Sequence, residues 1–214
     1  MSDSRKLVFF HSPNTRSAGA RVLLEELGAP YEMHVLNMKA KEQRQAEFLK
    51  VNPMGKVPAV LHGHQLITEQ VALYIYLPDI FPEAGLAPAL TDPLRGPYLR
   101  WIAYYGSCFE PGVVDRALKR DPAPPSMCPY GDFDTMFGTL VDQLRKGPYI
   151  LGDRFSAADL LWGLSLRWMT GFKIVEGLPE IMAYVERISS RPSFAKVTES
   201  DAKLMAEHQA AVAT

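Results

Sequence analysis

A polar turn near the N-terminus carries the residue types best suited to chemistry. Residues 12–17 read Ser-Pro-Asn-Thr-Arg-Ser and lie between a short apolar run and a segment of helical composition. Backbone N–H groups at the start of a helix are unpaired and partly positive, so they favour an anion. A free thiol with a pKa near ~8.5 is mostly protonated at neutral pH, and such donors would be needed to ionise it. The candidates are the hydroxyls of Ser12, Thr15 and Ser17, the Asn14 amide and the Arg16 guanidinium. Ser12 or Asn14 could equally serve only to cap the helix.

A second candidate binding position is Glu69-Gln70, where another apolar run is followed by a helical segment. The first N–H groups of this helix would also be unpaired, so they favour a carboxylate. Glu69 could equally be no more than a charge that the helix dipole stabilises. Both interpretations stay open.

Two other polar pairs are better explained by folding than by chemistry. Ser156 opens an apolar helical run and Asp159 follows three residues later, which is the spacing of a capping box. His62 and His64 flank Gly63 in a predicted hairpin turn, with no third ligand at a recognisable spacing. We predict a stability role for the first pair and no metal at the second.

The composition is typical of an ordinary globular protein. The 214 residues allow one large domain or two small ones, with 47% hydrophobic and 10% aromatic residues. Lysine and arginine number 23 against 24 acidic residues, a net charge of -1, so nucleic acid is not an expected partner. The longest apolar runs are far shorter than the ~20 residues that span a bilayer, and the N-terminus has too few apolar residues for a signal peptide. We expect a cytoplasmic protein with no membrane partner, in which Cys108 and Cys128 stay unpaired.

The first eighty residues alternate strand and helix patterns. The predicted strands cover residues 6–11, 31–36, 57–61 and 65–67, and the predicted helices cover residues 15–27, 42–50 and 69–80. A βαβ half followed by a ββα half is the order of a thioredoxin-like fold. This unit would position both candidate sites, because each lies where a strand is followed by a helix.

After residue 80 the strand pattern ends. Helical periodicity covers residues 93–119, 133–146, 156 onward, 179–190 and 193–205, with an irregular proline-rich loop over 121–129. The predicted fold class is α/β plus all-α. We expect a thioredoxin-like domain over residues 1–80, a linker over 81–92 and an all-helical domain over 93–214.

Several motifs, in this order, resemble the glutathione S-transferase superfamily. Residues 6–28, KLVFFHSPNTRSAGARVLLEELG, resemble the first strand and helix of bacterial beta-like members. Residues 52–58, NPMGKVP, match the pattern NPxGKVP, and residues 66–75 resemble LxESxAIxxYL. Residues 149–159 and 179–194 resemble the YLxGxxxSxAD and PxxxxYxxRxxxRPSF elements.

The resemblance implies that the thioredoxin-like domain binds the tripeptide glutathione. It implies a cis Val57–Pro58 bond that presents the Val57 backbone to the cysteine backbone of glutathione. Glu69 and Gln70 would hold the γ-glutamyl carboxylate, although Gln70 replaces the usual serine. The further glutathione contacts that it implies are Asn14, Lys39, Lys41 and Lys56, of which each lysine could instead be a solvated surface residue.

An ungapped comparison places Arg16 where the beta-like members carry their catalytic cysteine. This departure argues against a mixed disulfide with the protein and for stabilisation of the glutathione thiolate by hydroxyls or a guanidinium. The candidate catalytic residues are therefore Ser12, Thr15 and Arg16. Tyr104 and Tyr105 of the helical domain are candidates for an electrophile pocket, although most aromatic residues nearby are expected to form core.

The predicted function is that of a detoxifying glutathione transferase. It would bind reduced glutathione, ionise the thiol and let the thiolate attack a small apolar electrophile, with glutathione as co-substrate and no metal. A noncatalytic glutathione- or hydrophobic-ligand-binding protein remains an alternative, as do glutathione-dependent reductase, peroxidase, dehalogenase and isomerase activities. The resemblance also implies a homodimer.

Overall fold

The computed structural model describes residues 5–121 and 123–213. Residues 1–4, Pro122 of the predicted irregular loop, and Thr214 lie outside the described residues. The chain divides into two compact units: the first runs to Ala84 and includes the chain from Arg191 onward, and the second is Gly85–Ser190. The domain boundaries expected from the sequence stay a prediction.

The strands and helices follow the predicted order. The strands are β1 (Leu7–His11), β2 (Tyr31–Val35), β3 (Ala59–His62) and β4 (Gln65–Thr68). The helices are α1 (Arg16–Glu26), α2 (Ala46–Val51), α3 (Gln70–Ile80), α4 (Arg95–Tyr104), α5 (Glu110–Ala117), α6 (Phe133–Leu144), α7 (Ala157–Gly171), α8 (Pro179–Ser189) and α9 (Pro192–Ala213).

A four-stranded mixed sheet organises the first unit. Its strand order is β2-β1-β3-β4, with β1 parallel to β2, antiparallel to β3, and β3 antiparallel to β4. This sheet with its helices, and the all-helical second unit, confirm the predicted fold class.

The two faces of β1 carry different side chains, because successive residues of a strand point to opposite faces. Phe10 packs against Phe48 of α2, with their ring centroids 5.4 Å apart. Phe9 and His11 stack on each other at 5.7 Å. Helix α1 packs against α3 and α9. His11, the last residue of β1, is completely buried.

The second unit is built around aromatic side chains. Trp162 of α7 is fully buried, and its ring centroid lies 4.8–5.9 Å from those of Trp101, Tyr105 and Phe109. Its Nε1–H donates a hydrogen bond to the Trp101 carbonyl at 3.1 Å. The single helix predicted over residues 93–119 is wrong in one respect, because a π-helical turn, Tyr105–Phe109, separates α4 from α5.

Ser156 and Asp159 form the predicted capping box at the start of α7. The Asp159 carboxylate also accepts hydrogen bonds from the Ile150 N–H at 2.7 Å and the Tyr184 hydroxyl at 2.8 Å. Burial raises the pKa of this carboxyl to about 6, although the hydrogen bonds lower it. The pair joins the start of α7 to two other segments of the same unit.

Helix α3 ends at Ile80 as predicted, with Pro78 inside it. Helix α9 runs further than predicted, continuing past Met205 to Ala213. Within residues 5–121 and 123–213, none of the helices combines the length and the apolar character that crossing a membrane requires.

Candidate functional site

The topology of the sheet gathers the predicted binding segments of the first unit at one edge. His11 at the end of β1 lies beside Val35 at the end of the parallel strand β2. Phe10 pairs with Ala59 at the start of β3, and Ala59 pairs with Thr68 at the end of β4. The segments that follow β1, β2 and β4, and the one that precedes β3, therefore emerge together. They are residues 12–17, 36–41, 69–70 and 56–58.

Thr15 is the N-cap residue of α1. Its Oγ1 accepts a hydrogen bond from the Ser17 N–H at 3.1 Å and lies 2.7 Å from the Ser12 carbonyl, to which it donates. The capping residue is therefore Thr15, and the alternative that Ser12 or Asn14 caps this helix is wrong. Ser12 is buried, and Asn14 has a left-handed backbone with φ 57° and donates its amide to the Met205 sulfur.

A buried hydrogen-bond network lies behind this turn. His11 Nδ1 is 2.9 Å from Ser17 Oγ, and His11 Nε2 is 3.0 Å from Asp201 Oδ1 of α9. Arg21 of α1 donates to the same Asp201 oxygen at 2.7 Å and to Ser200 Oγ at 2.9 Å. The hydroxyl-rich turn is thus connected to a buried carboxylate.

Arg21 keeps its charge in this buried network. Burial alone would lower the pKa of its guanidinium. The Tyr31 hydroxyl and the Asp201 carboxylate outweigh that effect and raise the pKa. Arg21 and Asp201 are therefore an ion pair between α1 and α9.

The segment Asn52–Lys56 forms a tight turn before the predicted cis proline. Asn52 Nδ2 donates to the Lys56 carbonyl at 2.8 Å, and Asn52 Oδ1 accepts from the Met54 N–H at 3.1 Å. Gly55 has φ 61°, and a Cβ at this position would come within 2.7 Å of the Gln43 carbonyl oxygen. The turn therefore requires glycine.

The Val57–Pro58 bond is cis, as the resemblance implies. Both side chains are buried, and Val57 belongs to the apolar cluster around Phe10 and Phe48. Val57 precedes the paired residues of β3, so the β1–β3 ladder does not use its backbone groups. An extended peptide could pair with them.

Glu69 and Gln70 begin α3 in an unusual way. Glu69 is the exposed N-cap residue, has φ 62° and ψ 125°, and makes no side-chain capping bond. Such a backbone costs roughly 1–3 kcal/mol and is often retained at functional sites. The Gln70 Oε1 atom is buried and has no hydrogen-bond partner among the residues described. A ligand group that donates to this oxygen would satisfy it.

The charged candidates lie on the surface of this edge. Arg16 is the first residue of α1, and its position is exposed. Lys39, Lys41 and Lys56 are also exposed, and the Lys39 N–H donates to Asn37 Oδ1 at 3.0 Å. The Lys56 carbonyl accepts a hydrogen bond from the Asn52 side chain. Their contacts with glutathione stay predictions.

The two tyrosine candidates belong to the second unit. Tyr105 is buried, its ring packs on Trp162, and its hydroxyl accepts a hydrogen bond from Ser165 at 3.0 Å. Tyr104 is half-buried and donates to the Met136 carbonyl at 3.0 Å. Tyr104 is therefore the more accessible of the two.

Both cysteines are unpaired. Burial, reinforced by the neighbouring Cys128, raises the pKa of the Cys108 thiol, which disfavours the reactive thiolate. His62 Nδ1 lies 2.6 Å from the Tyr76 hydroxyl. Across residues 5–121 and 123–213, no three His, Cys, Asp or Glu side chains are grouped to hold a metal ion. The expectation of no metal stays a prediction.

Sequence reasoning missed three residues of the buried network. His11 was assigned only to a strand, and Arg21 and Asp201 only to helices. One signal was present: Arg21 precedes Val22, Leu23 and Leu24 on an apolar helix, where a charge needs a buried partner. The partner is 180 residues away in the sequence, so spacing could not identify it.

The first unit thus has a thioredoxin-like sheet with a cis proline and the starts of two helices at the same end. Two domain models of one family match this chain: the glutathione S-transferase N-terminal domain over residues 6–79 and the C-terminal domain over residues 133–192. The chain belongs to the glutathione S-transferase superfamily.

Named relatives and solved structures agree with this assignment. The chain is 28% identical over 188 residues to glutathione S-transferase GstA of Escherichia coli O157:H7, covering 86% of this chain and 92% of the relative. A glutathione transferase from Methylococcus capsulatus matches with a TM-score of 0.76 and 28% identity, covering 92% of this chain and 98% of that chain. A sphingomonad glutathione S-transferase complexed with glutathione matches with a TM-score of 0.75 and 27% identity, covering 91% and 98%. These relatives support the predicted enzyme class, glutathione transferase.

Proposed function

We propose that the protein binds reduced glutathione at the carboxyl edge of β1 and ionises its thiol at the start of α1. The thiolate then attacks a hydrophobic electrophile. The observation that carries this proposal is the convergence of the hydroxyl-rich turn at residues 12–17, the cis Val57–Pro58 bond and the start of α3 at one sheet edge.

The peptide backbone of glutathione would be fixed by strand-like pairing. The N–H and C=O of Val57 lie outside the β1–β3 ladder, so they can pair with the cysteine residue of glutathione. Its γ-glutamyl end would reach Glu69 and Gln70, where the first N–H groups of α3 favour a carboxylate. Lys39, Lys56 and Asn14 are our remaining candidates for glutathione contacts.

Thiolate formation would rest on Thr15, Arg16 and Ser12. The Thr15 hydroxyl lies at the N-terminus of α1, and Arg16 brings a positive charge to the same turn. Neither requires a cysteine of the protein, in keeping with the raised pKa of Cys108. Catalysis would come from positioning and from a lowered thiol pKa, without a covalent protein intermediate.

The electrophile is proposed to be small and apolar, with Tyr104 and Tyr105 as the candidate contacts. We further propose that the enzyme is cytoplasmic, acts in detoxification and uses neither a metal nor a nucleic acid.

Turnover with reduced glutathione and a panel of apolar electrophiles tests this function. The expected result is loss of free thiol matched by an equal amount of conjugate. Thermal stabilisation by ligands with no thiol consumed would indicate a binding protein instead. Conversion of a substrate with no net loss of thiol would indicate an isomerase, and accumulation of oxidised glutathione would indicate a reductase or peroxidase.

A further inference from the structure

The buried His11 has only one nitrogen that can change its protonation without breaking the network. Asp201 is the ion-pair partner of Arg21 and accepts a hydrogen bond, so the hydrogen between Asp201 and His11 lies on Nε2. Nδ1 faces the Ser17 hydroxyl at 2.9 Å, and a hydroxyl can either donate or accept. Nδ1 is therefore compatible with both the neutral imidazole and the imidazolium.

When His11 is neutral, the hydroxyl hydrogens of Thr15 and Ser17 are both engaged inside the protein. Ser17 Oγ accepts from the Ser12 N–H at 3.0 Å, and Thr15 Oγ1 accepts from the Ser17 N–H at 3.1 Å. The hydrogen of Ser17 then goes to His11 Nδ1, and that of Thr15 goes either to the Ser12 carbonyl or, in the arrangement that a proton relay requires, to Ser17 Oγ. Both hydroxyl hydrogens are used inside the protein.

Protonation of His11 Nδ1 frees one of these two hydroxyl hydrogens. Nδ1–H donates to Ser17 Oγ, and the Ser17 hydrogen turns to the Ser12 carbonyl at 3.0 Å or to Thr15 Oγ1 at 2.7 Å. The hydrogen of Thr15 is then available to an anion outside the turn. When His11 is charged, Ser17 can therefore supply the hydrogen bond to the Ser12 carbonyl, and Thr15 can donate to a ligand without leaving that carbonyl unsatisfied.

We propose that His11, supported by Asp201, stores the proton that the glutathione thiol gives up and thereby turns the Thr15 hydroxyl toward the thiolate. This inference rests on the proposed function, because it places the glutathione sulfur next to Thr15. His11 and Asp201 act through Ser17 and Thr15, so they are positioning residues.

The proton transfer balances along the chain of hydrogen bonds. The S–H bond breaks and leaves its electron pair on sulfur, while its proton passes to Thr15 Oγ1. The proton of Thr15 passes to Ser17 Oγ, and the proton of Ser17 passes to His11 Nδ1. One thiolate and one imidazolium form together, so the net charge of the complex does not change.

Among the described residues, the His11 ring contacts the carboxylate of Asp201 of α9, at 3.0 Å from Nε2. Arg21 of α1 donates to the same carboxylate oxygen, with Tyr31 of β2 and Glu25 beyond it. The Asp201 carboxylate is thus the group on which proton storage depends.

The test uses the full chain with reduced glutathione and measures two quantities. Ultraviolet absorbance of the thiolate gives the fraction of bound glutathione that is ionised. Calorimetry in two buffers of different ionisation heat counts the protons released on binding. For the wild type we expect thiolate to form while much less than ~1 proton is released to the buffer for each thiolate.

Asp201→Asn keeps the shape of the side chain but removes its charge. We expect a higher apparent pKa for the bound thiol, with the proton now released to the buffer. Glu26→Gln is the matched control. Glu26 forms an ion pair with Arg191 in the C-terminal segment of the same unit, and its side chain is 10% exposed, as is that of Asp201. The Glu26→Gln variant should show the same apparent pKa of the bound thiol and the same proton release as the wild type.

The outcomes separate this inference from the proposed function. Release of about one proton for each thiolate by the wild type overturns the storage role and leaves the proposed function standing. Failure to bind glutathione, or binding without any thiolate, overturns the proposed function and this inference with it. If Asp201→Asn does not fold, the proton count of the wild type alone decides.

Discussion

The Thr15 hydroxyl caps α1 and is also our candidate donor to the thiolate. Thr15→Val keeps the branched shape but removes the hydroxyl, so we expect a loss of about 1 kcal/mol in the free energy of unfolding from the missing cap. We also expect a roughly 10- to 100-fold lower kcat/KM, because a hydrogen bond to a charged group contributes about 1.5–3 kcal/mol. Denaturant unfolding and steady-state kinetics measure the two effects.

Thr15→Ser is the control for this change. Serine retains the hydroxyl and is itself a good N-cap residue, so both quantities should stay near the wild-type values. Reduced stability with wild-type kinetics in Thr15→Val would show that Thr15 only caps the helix.

The resemblance to beta-like members implies that Arg16 occupies the position of their catalytic cysteine. If its charge stabilises the thiolate, Arg16→Ala should lower the conjugation rate by about tenfold or more, because an opposite charge a few ångströms away shifts a pKa by ~1–3 units. Arg16→Lys should retain most of the rate. Conjugation rates measured at several pH values would show this loss as a shift of the pH–rate profile of Arg16→Ala to higher pH. Unchanged kinetics in Arg16→Ala would transfer the role to Thr15 or Ser12.

At the scale of the helices and strands, replacing two helical glycines by alanine should change the free energy of unfolding in opposite directions. A Cβ on Gly163 of α7 would lie 2.6 Å from the Ile188 side chain of α8, so Gly163→Ala should lower the free energy of unfolding by about 1–3 kcal/mol. A Cβ on Gly138 of α6 would meet nothing within 4 Å, so Gly138→Ala should raise it by up to about 1 kcal/mol through helix propensity. Equal effects in denaturant titrations would contradict the close packing of α7 on α8.

The capping box of α7 makes stability depend on pH. The pKa of Asp159 is raised to about 6 in the folded protein, from an ordinary value of 3.8, so the folded state binds this proton more tightly than the unfolded state. Its contribution is fully present below the ordinary value and is lost as the pH rises through about 6. Asp159→Asn has no such proton.

We therefore expect the free energy of unfolding of the wild type, taken relative to Asp159→Asn, to fall between about pH 4 and pH 6. Thermal or denaturant unfolding at a series of pH values measures this difference. A flat difference would mean that folding leaves the pKa of Asp159 unchanged, and a rising one that folding lowers it; either result would contradict this account.

Helix and strand signals in the sequence located most elements, because period and turn residues are local properties. The start of α1 shows the limit of this reasoning. Ser12, Asn14 and Thr15 are all good cap residues, and only the backbone geometry singles out Thr15. The π-helical turn Tyr105–Phe109 was also missed, since aromatic spacing near it fits an ordinary helix as well.

At the scale of the whole molecule, the order of strands and helices was predictable from the sequence. The strand pairing seen in the structure adds that Val57–Pro58 and Glu69–Gln70 lie at the end of β1. The network of His11, Arg21 and Asp201 was not predictable, because α9 meets the first unit only through contacts between residues far apart in the sequence.

The resemblance further predicts a homodimer. Sedimentation equilibrium or light scattering should give twice the chain mass of 23.9 kDa at micromolar concentration. A mass that stays at 23.9 kDa across the accessible concentration range would rule out this assembly. Activity per chain that is independent of concentration should accompany a stable dimer.

The central claim is that this fold lowers the pKa of the glutathione thiol. The most direct measurement is a pH titration of the thiolate absorbance of glutathione bound to the protein, with free glutathione as the reference. We predict a midpoint clearly below the ~8.5 of a free thiol. Saturating binding with an unshifted midpoint would contradict the account, because the edge of the sheet would then hold the peptide without activating it.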